Sequence, residues 1–83
     1  MVTNPRDYSV AVSKIVEEMA DASSKSHKAL SDEAGIARTT LLRRLRHGSP
    51  LNMEEVAALA NALHTTPAAI SNAAQERAQG VAA

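Results

Sequence analysis

Apolar residues recur along the first quarter of the chain with the period of an α-helix. Their spacings of four, three, one and three residues place one apolar stripe on the helix surface. The spacing predicts a helix over residues 5–22, with Asn4 as its N-cap and Pro5 in the first position, where the missing N–H of proline is not needed. The members of the stripe are Tyr8, Val12, Ile15, Val16 and Met19.

Two short helices are predicted next, separated by a tight turn. A second helix is expected over residues 26–34, because Ser26 is a suitable N-cap and Gly35 supplies the left-handed residue that commonly ends a helix. A third helix follows over residues 38–47 and is ended by the glycine and the proline that come after it. The residues expected on its inner face, four apart, are Leu41 and Leu45.

Capping signals mark the start of two more helices. Asn52 and Glu55 have the spacing of a capping box, which predicts the beginning of a fourth helix. Thr66 and Pro67 suit the N-cap and the first position of a fifth helix, whose inner face is lined mainly by alanine. The sequence therefore predicts an all-α fold, a compact bundle of about five short helices.

A single domain is expected over residues 1–78, followed by a frayed tail over residues 79–83. Seventeen of the 83 residues are alanine, which favours helices over strands. The residues expected in the core are Tyr8, Val12, Ile15, Val16, Met19, Leu30, Ile36, Leu41, Leu45, Val56, Leu59, Leu63 and Ile70.

Composition excludes several classes of function. Nine Lys and Arg residues balance nine Asp and Glu residues, so the chain is neither a uniformly basic tail nor a strongly acidic disordered segment. The lack of cysteine removes disulfides, thiolate metal sites and cysteine nucleophiles, and the single aromatic residue argues against binding of single strands by base stacking. No apolar run is long enough to span a bilayer and the start lacks signal-peptide features, which predicts a soluble, cytoplasmic protein.

Patterns typical of catalysis or cofactor binding are also absent from the sequence. His27, His47 and His64 are 20 and 17 residues apart, and neither an H-x-x-x-H nor a G-x-S-x-G pattern occurs. The three glycines are isolated, so no glycine-rich loop is available to hold a nucleotide phosphate. We therefore expect no enzyme activity, no cofactor and no metal site.

Charge is distributed unevenly along this neutral chain. Between Lys25 and His47 six basic residues outweigh two acidic ones, so this segment carries a net charge of +4 and the remainder carries −4. The third helix has four arginines and no acid. A solvated helix surface would normally interleave glutamates for i,i+4 pairing, so the pattern favours a surface for a polyanion over ordinary solvated charge.

A helical wheel turns the arginines of the third helix away from the core. Leu41 and Leu45 define the direction that faces inward. On the outward side, arginine can donate a pair of hydrogen bonds to guanine or bind a phosphate, and threonine can place its methyl group against that of thymine. Ser26, His27 and Lys28 combine backbone N–H groups with a cation at the start of the second helix, where a DNA phosphate can bind. The opposite side of the third helix carries Thr39, Arg43, Arg46 and His47, and its shoulders carry Arg38, Thr40 and Arg44.

Three pieces of sequence then occur in a characteristic order. They are A-G-I at residues 34–36, a fourth helix that ends in A-L, and a fifth helix that begins with proline. Together with the stretch S-H-K-A-L-S-D-E-A-G-I-A-R-T-T-L-L-R-R-L-R-H-G, they resemble the lambda repressor and Cro type of helix-turn-helix regulator, the XRE-like family. The resemblance covers residues 26–70, and it implies five helices with the third in the major groove and the second across the DNA backbone. The R-R-L-R run looks most like repressors of actinobacterial phages or prophages, which implies a nucleoid-associated protein of a bacterial cytoplasm.

The resemblance also implies a role for individual residues. The sequence departs from many relatives at His27, where they carry Gln, and at Arg44, where they often carry an apolar residue. The implied base-reading residues are Arg38, Thr39, Thr40 and Arg43, with Arg46 as a second candidate. The implied phosphate contacts are Ser26, His27, Lys28 and Arg44.

Two functions of different classes are compatible with the sequence. The first is a transcriptional regulator, repressor-like or Cro-like, that binds a double-stranded DNA operator in a sequence-specific way. The alternative is a protein–protein interaction module on the same fold, of antitoxin or adaptor type, whose basic helix binds an acidic partner. The resemblance further implies a contact for a weak homodimer through the fifth helix and the C-terminal tail, and the sequence leaves monomer and dimer open.

Overall fold

The computed structural model describes residues 4–46 and 49–82. These residues form five helices and no strand, which confirms the predicted all-α bundle. Within the same ranges, no helix combines the length and the apolar character that crossing a membrane requires. The helices are α1 (Pro5–Ala22), α2 (His27–Ala34), α3 (Arg38–Arg46), α4 (Met53–Ala62) and α5 (Pro67–Ala82).

Side-chain caps explain where the helices begin. Asn4 at the start of α1, Ser26 at the start of α2 and Thr66 at the start of α5 each accept a hydrogen bond from a backbone N–H of the first turn. At α4 the capping box is complete, because the Asn52 side chain accepts from the Glu55 N–H at 2.8 Å and the Asn52 N–H donates to the Glu55 carboxylate at 3.0 Å. The predicted helix starts are therefore confirmed.

The core forms where all five helices meet. Most of the large residues predicted to be in it are buried, while Tyr8, Met19, Ile36 and Val56 lie half-buried at its edge. The alanines are the part that the apolar pattern understates, since their small side chains let α1 lie close against α5. The buried alanines are Ala11, Ala20, Ala60, Ala62, Ala74 and Ala78.

Two predicted boundaries differ from the structure or lie outside it. Helix α3 is described as far as Arg46, so residue 47 of the predicted third helix lies outside the described residues. Helix α5 continues to Ala82, whereas residues 79–83 were expected to form a frayed tail after a domain that ends at residue 78. Ala78 is still buried in the core just before the last turn and no proline follows it, so the helix is anchored there and nothing blocks its continuation.

Candidate nucleic-acid interface

The turn between α2 and α3 determines which side of α3 faces outward. Gly35 adopts a φ of 70°, and the N–H groups of Gly35 and Ile36 both donate to the carbonyl oxygen of Ser31. Ile36 packs half-buried against the core, and α3 then begins with Leu41 and Leu45 buried on its inner side. Because the turn directs Leu41 and Leu45 into the core, the opposite side of α3 faces solvent.

Exposure along α3 follows the predicted wheel. Of the side chains predicted to face outward, those of Thr39, Arg43 and Arg46 are exposed and His47 lies outside the described residues, while those predicted on the shoulders are exposed or half-buried. Leu42 is also half-buried, consistent with its position between the inner face and the shoulder. The exposed residues are Arg38, Thr39, Arg43 and Arg46, and the half-buried ones are Thr40 and Arg44.

Three exposed cations of this region have no acidic partner among residues 4–46 and 49–82. No carboxylate in those ranges lies within 4.0 Å of the charged nitrogens of Lys28, Arg38 or Arg43. The other basic residues of the segment are paired, beginning with Lys25, whose Nζ lies 2.7 Å from both carboxylate oxygens of Glu33. Within the segment from Lys25 to Arg46, the unpaired positive charge is therefore carried by one residue of α2 and two of α3.

Arg44 meets an acid from the next helix, although the sequence predicts it as a phosphate contact. Its Nε donates to Glu55 at 3.1 and 3.4 Å, and Glu55 is in turn held by the N–H of Asn52. The carbonyl oxygen of Arg44 accepts a hydrogen bond from the hydroxyl of buried Ser13 at 3.0 Å. This polar arrangement surrounds the half-buried Arg44, the position at which the sequence departs from the regulators that it resembles.

Glu17 of α1 brings two predicted contact residues together. One carboxylate oxygen, Oε1, accepts from His27 Nε2 at 3.2 Å and from Arg46 Nε at 3.3 Å. The side chain of Glu17 is 27% exposed and that of Arg46 is 57% exposed. A single acid thus links α1 to the start of α2 and to the last turn of α3.

The first turn of α2 has the donors that an anion requires. The Ser26 hydroxyl accepts from the N–H of Ala29 at 3.1 Å, which satisfies one of the N–H groups that have no intrahelical acceptor. The N–H groups of His27 and Lys28 are the next in that turn and have no intrahelical partner by the geometry of an α-helix. Three of the four predicted phosphate contacts, Ser26, His27 and Lys28, are thus consecutive at this helix start, whereas the fourth, Arg44, lies on α3 beside Glu55.

An ion pair away from α3 shows a different geometry. Both terminal nitrogens of Arg77 on α5 bind the two carboxylate oxygens of Glu18 on α1, at 2.6 and 2.7 Å. The hydrogen bond from Arg77 lowers the pKa of the Glu18 carboxyl below its ordinary value, opposed by desolvation and assisted by the charges of Arg77 and Lys14. The same bond raises the pKa of Arg77.

Sequence reasoning did not identify the acids that hold the basic residues. Glu17 is 10 residues from His27 and 29 from Arg46, and Glu55 is 11 residues from Arg44. No helical period relates such positions, because the pairs arise from how α1, α3 and α4 pack together. The one signal in the sequence was the charge composition. The basic segment has six basic residues and two acids, so any further acidic partners had to come from other helices.

No family model, no curated protein and no solved structure matches this chain.

Proposed function

We propose that the chain is a sequence-specific double-stranded DNA-binding regulator of transcription of the lambda repressor and Cro type, with α3 in the major groove and α2 across the DNA backbone. The observation that supports this most is the side of α3 opposite Leu41. That side presents Thr39 and Arg43, with Arg38 on its shoulder, and neither Arg38 nor Arg43 has an acid partner in the described part of the chain. Such a surface favours a polyanionic ligand.

Each group of side chains has a distinct role in this proposal. Arg38 and Arg43 present unpaired guanidinium groups, which suit paired hydrogen bonds to guanine, and Thr39 and Thr40 suit contacts with thymine or a base edge. The N-terminal turn of α2, with Ser26, His27 and Lys28, binds a phosphate and so fixes the register of α3 in the groove. Arg44 and Arg46 contact the flanking backbone with the nitrogens that their glutamate partners leave available, and Arg46 is a second candidate for a base contact.

A protein–protein interaction module with an acidic partner is the second candidate. The observation in its favour is that carboxylates of the chain itself, those of Glu17 and Glu55, already bind arginines of α3. A partner that presents Asp or Glu side chains would extend the same contacts to Arg38 and Arg43. The two candidates differ in whether bases are discriminated, so a selection experiment separates them.

Selection of binding sites from a random duplex pool at about 0.15 M salt tests the proposed function. Enrichment of a defined sequence is the expected result, and an inverted repeat would indicate a homodimer, whereas a single half-site would indicate a monomer. The logarithm of the affinity for the selected duplex should fall with the logarithm of salt concentration at a slope of about −3 to −5, since several phosphates are neutralised. No enrichment together with a flat salt response would reject DNA in favour of the acidic protein partner.

A further inference from the structure

The carboxylate of Glu17 is the one point where α1 meets basic side chains of both α2 and α3 among the described residues. It accepts from the ring nitrogen Nε2 of His27 and from Nε of Arg46 through the same oxygen. Glu17 is itself half-buried, so its carboxylate is held near the surface rather than moving freely in solvent. Both donors belong to the surface for which DNA binding is proposed above.

The nitrogen that Arg46 uses decides what this contact does. A guanidinium has five N–H donors in one plane, and its two terminal nitrogens form the end that binds a phosphate or guanine with a pair of parallel hydrogen bonds. Arg46 contacts Glu17 through Nε, and no hydrogen bond within residues 4–46 and 49–82 uses its terminal nitrogens. Arg77 is the counterexample, since both of its terminal nitrogens are occupied by Glu18.

Arg44 shows the same geometry with a different acid. Its Nε binds Glu55, which the N–H of Asn52 holds in place, and its terminal nitrogens have no acceptor in the described part of the chain. Two arginines near the end of α3 are thus held by their Nε edge, each by an acid from another helix. This repetition favours a fixed orientation for DNA over simple neutralisation of charge, for which the two-pronged pairing of Arg77 would serve better.

We propose that Glu17 is a positioning residue of the DNA-binding surface, which holds Arg46 and His27 and leaves the terminal nitrogens of Arg46 directed to DNA. This inference rests on the proposed function. Holding a long side chain before binding reduces the conformational entropy lost on binding, which is equivalent to about 3–10-fold in affinity for one such side chain. Glu17 therefore strengthens DNA binding although its negative charge opposes the phosphates.

Because the negative charge of Glu17 opposes the DNA phosphates, the direction of the change in DNA affinity on substituting Glu17 is informative. Glu17→Gln removes a negative charge near DNA, which on electrostatic grounds alone would tighten binding. The matched control is Glu18→Gln, which removes the same charge from the next residue of α1, where the partner is Arg77 on α5. A loss of affinity in Glu17→Gln that is absent in Glu18→Gln cannot come from net charge.

The experiment measures the affinity of purified variants for the duplex that the wild-type chain selects. We expect Glu17→Gln to weaken binding about 3–10-fold and Glu18→Gln to change it less than about twofold. In an Arg46→Ala background, the loss caused by Glu17→Gln should shrink because Arg46 is the group being positioned. Glu17→Asp, which keeps the charge but shortens the side chain and so withdraws the carboxylate from Arg46, should weaken binding as Glu17→Gln does and serves as a second variant if Glu17→Gln does not fold.

The positioning of Arg46 by Glu17 can also be measured in the absence of DNA. The Nε–H resonance of Arg46 in an NMR spectrum should be sharp in the wild-type chain and broadened by solvent exchange in Glu17→Gln, with Glu18→Gln unchanged. Tighter binding by Glu17→Gln, or an equal loss with Arg46 removed, would overturn the positioning role while leaving the proposed function intact. A wild-type chain that selects no duplex would overturn both.

Discussion

Arginines on α3 and on α5 meet acidic side chains in different ways. Arg77 of α5 gives both terminal nitrogens to Glu18 of α1, so its hydrogen-bonding end is used inside the molecule. On α3, Arg44 and Arg46 are held by Nε, and the remaining two arginines meet no acid within residues 4–46 and 49–82. The same residue type thus uses its terminal nitrogens within the molecule in one region and leaves them without an acid partner in the other, according to which acids the neighbouring helices place beside it.

The two regions also differ in what lies beneath the charges. Helix α5 contributes alanines to the core, with Ala74 and Ala78 buried, and it lies along α1 with the Arg77 pair at the exposed rim. Helix α3 contributes Leu41 and Leu45 and leaves its outer side uncovered. The inner side of α3 therefore serves the fold, whereas its outer side makes no contribution to the core, a separation that substitutions on each side can test.

Leu41→Ala should have the largest effect, and the effect should be on stability. The side chain is fully buried, so its truncation removes apolar contacts and leaves a cavity at an expected cost of about 2–5 kcal/mol in the free energy of unfolding, measured by urea denaturation. The matched control is the neighbouring Leu42→Ala, which alters a half-buried leucine and should cost less. Equal losses would mean that α3 is rotated about its axis relative to the described orientation.

Arg43→Ala should show the reverse behaviour, with an effect on DNA binding rather than on folding. If Arg43 reads a base, its loss should cost about 1–3 kcal/mol in binding at one base pair and relax specificity there. The free energy of unfolding should stay within about 0.5 kcal/mol of the wild type, because the side chain is exposed and has no acid partner in the described ranges.

Arg77→Ala is the control that links this result to the comparison of the two regions. It removes the same charge from the chain, but from an arginine whose terminal nitrogens are occupied by Glu18. Its effect on DNA affinity should be smaller than that of Arg43→Ala. Equal effects would show that binding responds to net charge alone, and a loss for Arg43→Ala that is uniform over all sequences would make Arg43 a phosphate contact.

The fold was predictable to a large extent because its signals are local. Caps at Asn4, Ser26, Asn52 and Thr66 lie within one turn of the N–H groups they accept from, so the sequence reveals them directly. The outward side of α3 was also predictable, because its two inner leucines fix which side of a helix with 3.6 residues per turn faces the core.

The acids of the site were not predictable, because their contacts join residues far apart in the chain. Glu17 reaches Arg46 across 29 positions, and the Ser13 hydroxyl reaches the carbonyl of Arg44 across 31. Contacts between residues so far apart in the sequence depend on how α1 packs against α3, which neither helical periodicity nor capping residues describe. The buried alanines of α5 were understated for a related reason, since alanine is common on both faces of a helix and its burial depends on the neighbour.

Gly35→Ala and Gly80→Ala should have smaller effects of opposite sign. Gly35 has a φ of 70°, and an added Cβ would meet no atom within 4 Å, so the expected loss of about 1–2 kcal/mol comes from the left-handed backbone alone. Gly80 lies within α5 with equally open surroundings, so alanine there should stabilise the chain by about 0.5–1 kcal/mol. A neutral Gly35→Ala in urea denaturation would contradict the described turn between α2 and α3.

The smallest expected effect is a pH dependence that belongs to the α1–α5 pair. The hydrogen bond from Arg77 lowers the pKa of Glu18 in the folded chain, so the carboxylate is bound more favourably there than in the unfolded chain. Its contribution to stability is therefore fully present above the unfolded pKa of the carboxyl and is lost as the pH falls through the lowered folded pKa. Arg77 stays protonated throughout this range.

Urea denaturation of the wild type and of Glu18→Gln, at about pH 7 and about pH 3, measures this contribution. The wild type should lose more of its free energy of unfolding between these two pH values than Glu18→Gln does, and Arg77→Gln should lose as little as Glu18→Gln because the partner is gone. The difference should be small, since the Glu18 side chain is exposed and that of Arg77 is 33% exposed, so water and salt screen the pair. Identical pH dependence in all three chains would show that Arg77 is not committed to Glu18, and the contrast between α5 and α3 would then no longer hold.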